Sequence, residues 1–313
     1  MHPAFSVIFF TVSSGAGFGL FALLYFADVL KLGGGLSGAQ VAATGAIAFF
    51  FIIGGLLSSV LHLANPKNAW RAFSRFRTSW LSREGVFSVA FFPVAFAYLA
   101  LSWLNWANFE GVRLLFGLLA TMLAWVTVFS TGMIYGCLKT IRQWNTPLVP
   151  ANYLALGNFS GALMLLAVAA WAGLALQPFA YLAGSMLIIA GLLKAIYYFW
   201  IAEPSAGPSI QTATGFTRAQ VRLLDQGHTH GTFLTQEFGF QLARKYALAL
   251  KVFVFAIGFI LPLSVLIVTS GKPSLTLSAV SVSLALAGLV AERWLFFAEA
   301  RHVVNLYHGS QRC

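Results

Sequence analysis

Charged residues are scarce in this chain. Only 9% of its 313 residues are charged, whereas 59% are hydrophobic and the mean hydropathy is +0.82. A soluble domain carries roughly a quarter charged residues. So few charges cannot cover the surface of a soluble protein of this length, and we therefore expect an integral membrane protein.

Cysteine is equally scarce, and histidine is absent from the middle of every apolar run. Cys137 and Cys313 are too few and too far apart for an iron–sulfur or zinc site. Bis-histidine ligation of haem needs paired histidines inside membrane spans, so we expect no haem and no bound metal. His228 and His230 predict a turn or a partner contact, because two ligands in one loop make a poor metal site. The histidines are His2, His62, His228, His230, His302 and His308.

Motifs of a self-contained enzyme are missing too. There is no Gly-x-Ser-x-Gly, His-Glu-x-x-His or P-loop, and we predict no independent active site. The glycine-rich stretch from Ser13 to Gly19 lies inside an apolar run rather than after a strand, so Gly15 and Gly19 indicate close helix packing instead of a nucleotide loop. Met1 leads almost directly into the first apolar run, and we expect no cleaved signal peptide.

What the chain has is eight apolar runs, each of about 20 residues or more, the length that spans a bilayer as a helix. Each is about twice as long as a barrel strand and lacks alternation. The predicted fold is an all-α integral membrane protein with eight transmembrane helices, one membrane domain over 1–313, and a long amphipathic interfacial loop at 203–246 between helices 6 and 7. Within that loop Phe216–Leu224 is predicted to be amphipathic, and Phe233–Tyr246 to form a short helix. The spans are Ala4–Leu32, Ala39–Ala64, Gly85–Leu104, Val112–Ile141, Asn152–Gly173, Pro178–Trp200, Ala247–Ser270 and Ser274–Phe297.

The basic residues gather at one face of this predicted bundle. An even number of spans puts both termini on one side, and sixteen of the 19 Lys and Arg residues fall on that side. The exceptions are Lys31, Arg113 and Lys272. By the positive-inside rule, both termini and the basic loops are expected in the cytoplasm, with the protein in a bacterial inner membrane. The net charge of +11 therefore does not indicate nucleic acid.

The most informative stretch runs from His62 to Glu84, between spans 2 and 3. It is predicted to be a short loop, and its arginines interleave with aromatic side chains. Arginine and aromatic residues are enriched at protein interfaces, so Arg71, Arg75 and Arg77 are candidates for docking a redox partner. The alternative is that this cluster only enforces membrane topology.

His62 and Glu84 mark the two edges of that loop. Quinone chemistry needs a hydrogen-bond donor at each carbonyl and a group that exchanges protons, and both His and a partly buried Glu can do this. The competing interpretation makes His62 an interfacial helix-end residue and Glu84 a charge favoured by the helix dipole.

The chain resembles the membrane anchor subunits of DMSO reductase-type molybdoenzymes, the DmsC family. The matching stretches cover nearly the whole length in order: H-P-A-F-S-V-I-F-F-T, S-G-A-G-F-G, H-L-A-N-P-K-N-A-W-R-A-F, T-S-W-L-S-R-E, T-G-M-I-Y, G-F-T-R-A-Q-V-R-L-L, E-F-G-F-Q-L-A-R-K-Y and E-R-W-L-F-F-A-E-A-R-H. The resemblance implies a haem-free eight-helix anchor. Its implied partners are an electron-transfer subunit with four 4Fe–4S clusters, a molybdopterin catalytic subunit and membrane lipids.

The resemblance also implies roles for particular residues. In the family, the His of a His-Leu-Gly-x-Pro motif and a Glu after Ser-Arg react with quinol; here these are His62 and Glu84, with Ala64 in place of the usual Gly. Weaker candidates for the same ubiquinone or menaquinone pocket are Arg83, Trp80, Asn65 and Ser14.

The expected function is therefore a quinone-reactive anchor, and a cytoplasmic catalytic head is more similar to the sulfite-oxidising members, which reduce quinone. The alternatives are a quinol-oxidising anchor of an S- or N-oxide reductase, a secondary transporter, and a purely structural anchor. A transporter normally places charged or broken helices near the midplane, whereas here the charges lie toward one face.

Overall fold

The computed structural model describes residues 4–60, 63, 65–202, 207–225, 246–268 and 274–313. These residues contain eight helices long and apolar enough to cross a membrane, which confirms the predicted all-α membrane fold. In chain order they are α1 (Phe5–Val29), α2 (Gly38–Val60), α3 (Trp80–Leu104), α4 (Glu110–Gly136), α5 (Leu148–Trp171), α6 (Gln177–Ile201), α7 (Ala247–Val268) and α8 (Leu275–Ala298). A π-helical turn at Ala256–Ile260 interrupts α7.

Because successive spans run in opposite directions, α1 begins and α8 ends at the same end of the bundle. This end, which we call the basic face, carries the segments 63–79, 137–147, 207–225 and 299–313. The opposite end, the far face, carries the turn between α1 and α2. Three successive glycines in that turn, Gly33 to Gly35, all have positive φ, the left-handed conformation that glycine adopts most readily.

The two central helices are α1 and α5, which are the most buried of the eight described spans. They cross at glycines: a Cβ on Gly19 would lie 2.0 Å from the carbonyl oxygen of Gly157, and one on Gly161 would lie 2.3 Å from the carbonyl carbon of Gly19. The prediction that Gly19 serves helix packing is confirmed. At Gly15 a Cβ would meet nothing within 4 Å, so the close approach there depends on Gly157, whose Cβ would lie 2.9 Å from the oxygen of Gly15.

A cluster of aromatic rings fills the middle of the bundle between α1, α2 and α3. The rings of Phe18 and Phe21 contact that of Phe91 edge-on, at centroid distances of 5.1 and 4.9 Å. Phe21 also contacts Tyr98 at 6.0 Å. All four side chains are buried. This apolar layer separates the polar groups near the basic face from those near the far face.

Helix α3 begins five residues before the predicted start at Gly85. Ser79 has extended backbone angles, and its hydroxyl accepts a hydrogen bond from the backbone N–H of Ser82 at 3.4 Å, which is the geometry of an N-cap. The predicted loop boundary was therefore wrong, and Trp80 and Glu84 are helical. At the other end of the neighbouring span, α4 stops at Gly136 rather than at the predicted Ile141.

The segment between α6 and α7 differs from the prediction. Its described part holds one short helix, Ile210–Thr214, which starts at a capping box on Ser209 and ends at Gly215 with a φ of +79°. Residues 216–225 form no helix, so the predicted amphipathic pattern of Phe216–Leu224 does not produce a helical face here, and Leu224 is 97% exposed. The predicted helix Phe233–Tyr246 lies outside the described residues except for Tyr246.

The chain after α8 also departs from expectation. The pattern of charges around Glu299 predicts a helix that continues out of the membrane, but α8 ends at Ala298. The tail instead folds back along the basic face: the N–H of Val303 donates to the carbonyl of Thr140 at 3.1 Å, and the N–H of Ile210 donates to that of Gln311 at 3.0 Å. These bonds satisfy backbone groups that helix propagation would otherwise use.

Candidate functional site

Glu84 lies in the second turn of α3, at the basic face, and its side chain points into the bundle. The residue is 5% exposed. One carboxylate oxygen accepts a hydrogen bond from the hydroxyl of Thr131, which comes from the last two turns of α4, at 2.5 Å. Since α3 begins at Trp80 instead of Gly85, the carboxyl group belongs to the helix interior rather than to a loop edge.

Thr131 also lines a small cavity between α1, α4, α5 and α8, whose wall is partly polar and partly apolar. The cavity has a volume of about 20 Å³, enough for about one water molecule. Its polar wall includes the side chains of Ser14, Ser160, Tyr153 and Arg293. Ser14 is buried and donates to the carbonyl of Phe10 at 2.6 Å. The structure therefore brings together Ser14 and, through Thr131, Glu84.

Two polar groups on the cavity wall are poorly satisfied. The guanidinium of Arg293 stacks on the ring of Tyr153, with Cζ 4.1 Å from the ring centroid. Within the described residues, neither the Nη1 atom of Arg293 nor the hydroxyl of Tyr153 makes a hydrogen bond of ordinary geometry. Buried polar groups left in this state are commonly bridged by water.

Behind this wall lies a buried ionic cluster of Lys194, Glu292 and Arg293. Lys194 pairs with one oxygen of Glu292, and the Nε atom of Arg293 donates to the other. All three side chains are at most 5% exposed. Lys194 lies about two turns before the end of α6, and the two other residues lie in the last two turns of α8, so the cluster is near the basic face.

The other predicted pocket residues turn away from the cavity. Arg83 is half-buried. Its guanidinium donates to the carbonyls of Phe76 at 3.0 Å and Arg77 at 2.8 Å, and stacks on Trp80 with Cζ 4.2 Å from the ring centroid. It thus fastens the 66–79 segment to α3. Trp80 is half-buried, and Asn65 is exposed just before a 3₁₀ helix at Pro66–Arg75.

Some of the predicted residues lie outside the described part of the chain. They are His62, His228 and His230, together with Ala64. The docking candidates Arg71, Arg75 and Arg77 are described, and all three are exposed on the basic face.

A second polar cluster lies at the far face, joining α1, α3 and α4. Asp28 accepts a hydrogen bond from the hydroxyl of Tyr98 at 2.8 Å and forms an ion pair with Arg113. Arg113 also pairs with Glu110 at 2.7 Å, and the Lys31 amine lies 3.4 Å from the Asp28 carboxylate. Its charges are matched, so it fastens three helices together. The aromatic layer separates it from Glu84.

Several residues of the site gave little sequence signal. Thr131 and Tyr153 are ordinary polar residues in apolar runs, and Lys194 was assigned to the charges that set topology. The sequence did offer one sign of the ionic cluster, which is the pair Glu292–Arg293 just before the end of a span. Ionisable residues inside a membrane span normally face the interior of the bundle and a charged or polar partner.

Together, the fold and these groups define a multi-pass, all-α membrane subunit with a buried carboxyl group and polar cavity near its basic face. Residues 1–298 match the model of a family described as DMSO reductase anchor subunit (DmsC), and the chain belongs to this family. It is also 34% identical over 323 aligned residues to a sulfite dehydrogenase subunit of Allochromatium vinosum, with 99% of each chain covered. The predicted membrane-anchor family is confirmed.

Proposed function

We propose that this protein is the quinone-reactive membrane anchor of a molybdopterin and iron–sulfur oxidoreductase, and that Glu84 exchanges protons with the quinone. One observation carries the proposal. Among the described residues, Asp28, Glu110, Glu292 and Glu299 each pair with a Lys or Arg, whereas Glu84 is buried with no such pair. A carboxyl group without a counter-ion takes up or releases a proton without breaking an ion pair.

A bound quinone would supply the two-electron, two-proton chemistry. The cavity of about 20 Å³ is too small for its ring, so we assign the ring to the Trp80 end of α3, with Glu84 between ring and cavity. In this arrangement the Thr131 hydroxyl positions the carboxyl group, and His62 is the proposed second donor. A quinone needs one hydrogen-bond donor at each of its two carbonyl oxygens, and Glu84 and His62 would supply one donor each.

The electron partner is proposed to dock on the basic face above this site. Arg71, Arg75 and Arg77 are exposed there, and so is much of Trp70, which is 65% exposed. The segment that carries them is bound to α3 next to Glu84, because the hydroxyl of Ser82 donates to the carbonyl of Ala72. An iron–sulfur subunit seated on this segment would bring its nearest cluster close to the quinone. We propose that this subunit has four 4Fe–4S clusters and that it connects to a molybdopterin catalytic subunit.

The central experiment is Glu84→Gln in the assembled complex. We expect quinone-linked turnover to fall by about 100-fold, within the usual range for loss of a general acid–base. Activity of the catalytic head with a soluble artificial electron carrier should not change. Glu110→Gln, which alters an exposed carboxylate at the far face, is the matched control. If Glu84→Gln retains quinone-linked turnover, the proposed site is wrong, and the chain is a structural anchor.

Docking has its own test. Replacing Arg71, Arg75 and Arg77 by Glu should weaken capture of the iron–sulfur subunit by at least about tenfold at low salt, and less at high salt because surface charges are screened. Lys31→Glu, a charge reversal at the far face, should leave capture unchanged. Equal capture by both variants would remove this surface from the proposal.

We further propose that the complex oxidises sulfite and reduces quinone, with its head in the cytoplasm. The name of the Allochromatium vinosum relative and the basic face support this direction. Cys137 is an exposed native thiol on that face. It should resist a membrane-impermeant thiol reagent added to whole spheroplasts and react in inverted vesicles. The opposite labelling pattern would favour an exported head and a quinol-oxidising reductase.

A further inference from the structure

The buried cluster of Lys194, Glu292 and Arg293 has no part in binding the proposed quinone or the partner. Burying such charges is expensive, and apolar residues of similar volume would often serve a structural purpose equally well. The matched cluster at the far face already fastens α1, α3 and α4. The Lys194 cluster lies behind the cavity that Thr131, the partner of Glu84, lines, and this position calls for a chemical explanation.

From Glu84 inward, polar groups follow one another toward this cluster. The Thr131 hydroxyl touches Glu84 on one side and the cavity on the other. The Tyr153 hydroxyl and Arg293 also line the cavity, and neither that hydroxyl nor Arg293 Nη1 makes a hydrogen bond of ordinary geometry within the described residues. One water would bridge these groups to the Thr131 hydroxyl, because the cavity has room for about one and offers several polar partners. Arg293 is in turn bonded to Glu292.

From the cluster outward, the side chain of Tyr198 contacts both Lys194 and a second ion pair nearer the surface. Lys194 Nζ lies 4.7 Å from the ring centroid of Tyr198, and Lys251 Nζ lies 5.0 Å from the same centroid. The buried hydroxyl of Tyr198 has no hydrogen-bond partner within the described residues. Lys251 pairs with Glu299 at 2.7 Å, and both side chains are about one-fifth exposed at the basic face.

We propose that Glu292 and Lys194 form a proton route between Glu84 and water at the basic face. The inference rests on the proposed quinone function. For each two electrons that the iron–sulfur subunit delivers to a quinone, two protons must reach the ring oxygens; in the reverse reaction both leave. In the direction of quinone reduction, Lys194 passes its proton to Glu292, and Glu292 releases it through the cavity water and the Thr131 hydroxyl to Glu84. Lys194 then regains a proton from the surface side, which restores its ion pair with Glu292. Lys194 exchanges protons with the Glu299–Lys251 pair by way of the Tyr198 hydroxyl, which takes up one proton as it gives up another. Arg293 remains charged and holds the water and Glu292 in place.

Lysine and arginine differ in the property that this route needs. A lysine amine can release a proton, whereas an arginine guanidinium stays protonated in proteins. A purely structural role for Lys194 requires only a cation beside Glu292, and Arg would supply it. Lys194→Met leaves the Glu292–Arg293 pair intact, so the Glu292 carboxylate still has a cationic partner.

The experiment measures quinone-linked turnover of the complete complex in H₂O and D₂O for Lys194→Met and Lys194→Arg. We expect both variants to slow turnover by about tenfold or more and to increase the solvent isotope effect above that of the unmodified complex. Head activity with an artificial electron carrier should be unchanged. The matched control is Glu110→Gln, which neutralises an exposed carboxylate at the far face while Arg113 keeps its pair with Asp28; its turnover should stay within about twofold.

Restored turnover in Lys194→Arg, or an unchanged isotope effect in both variants, would overturn the route and leave Lys194 structural. Because arginine adds bulk at a closed position, Glu299→Gln at the surface end gives a second test that does not depend on packing. It should slow turnover and raise the isotope effect in the same direction, and no change in either would also overturn the route. Loss of turnover in Glu84→Gln together with normal Lys194 variants would reject the route but keep the quinone site.

Discussion

Thr131→Val tests how the carboxyl group of Glu84 is held. The substitution keeps the shape of the side chain and removes the hydroxyl that donates to Glu84 at 2.5 Å. A hydrogen bond to a buried polar or charged acceptor contributes about 1–3 kcal/mol. Since about 1.4 kcal/mol corresponds to a tenfold change in rate, we expect quinone-linked turnover to fall between about fivefold and about 150-fold.

The assay compares quinone-linked turnover with head activity toward a soluble electron carrier in the same preparation. Only the first should fall, because Thr131 lies inside the anchor. Thr131→Ser retains the hydroxyl and should recover most of the lost rate. Normal turnover in Thr131→Val, or equal losses in the Ser and Val variants, would show that this hydrogen bond does not matter to the reaction.

Two further predictions concern the fold. Gly161→Ala should destabilise the bundle by about 1–3 kcal/mol, because its new methyl group meets the backbone of Gly19, whereas Gly184→Ala, where a Cβ meets nothing within 4 Å, should be neutral in thermal unfolding. Burial lowers the pKa of His302 below its ordinary value, so the folded state binds fewer protons than the unfolded state. The tail is therefore expected to lose protection from hydrogen exchange as the pH falls below about 6.5, the ordinary pKa of histidine. The N–H of Val304 donates to His302 Nδ1, which cannot accept once it is protonated; His302→Asn should weaken this pH dependence, and an unchanged profile would contradict it.

The eight spans were predictable because apolar length is a strong and nearly context-free signal. The packing role of Gly19 was predictable for a similar reason, since small residues four apart in a span favour close helix contact. The residues at which the helices begin and end were harder to predict from the sequence. The start of α3 at Trp80 depends on a cap at Ser79, and the hydropathy pattern gives little weight to the polar residues that follow it.

The candidate site was only partly predictable. Glu84 was found because a carboxyl group beside an apolar run is unusual. Its neighbour Thr131 comes from another helix 47 positions away in the chain, and one sequence does not reveal which helices meet. The same limit hid the pairing of Lys194 with Glu292. Arg83 was assigned to the pocket by its position next to Glu84, but adjacent residues on a helix point in different directions, and its guanidinium faces the loop.

The most direct test of the central claim is covalent capture of a photoreactive quinone analogue by the complex in its membrane, followed by mapping of the labelled peptides. We predict labelling near the basic face, in the first turns of α3 around Trp80 and Glu84, and competition by unmodified quinone. Specific labelling confined to the far face, around Asp28 and Arg113, would contradict the account.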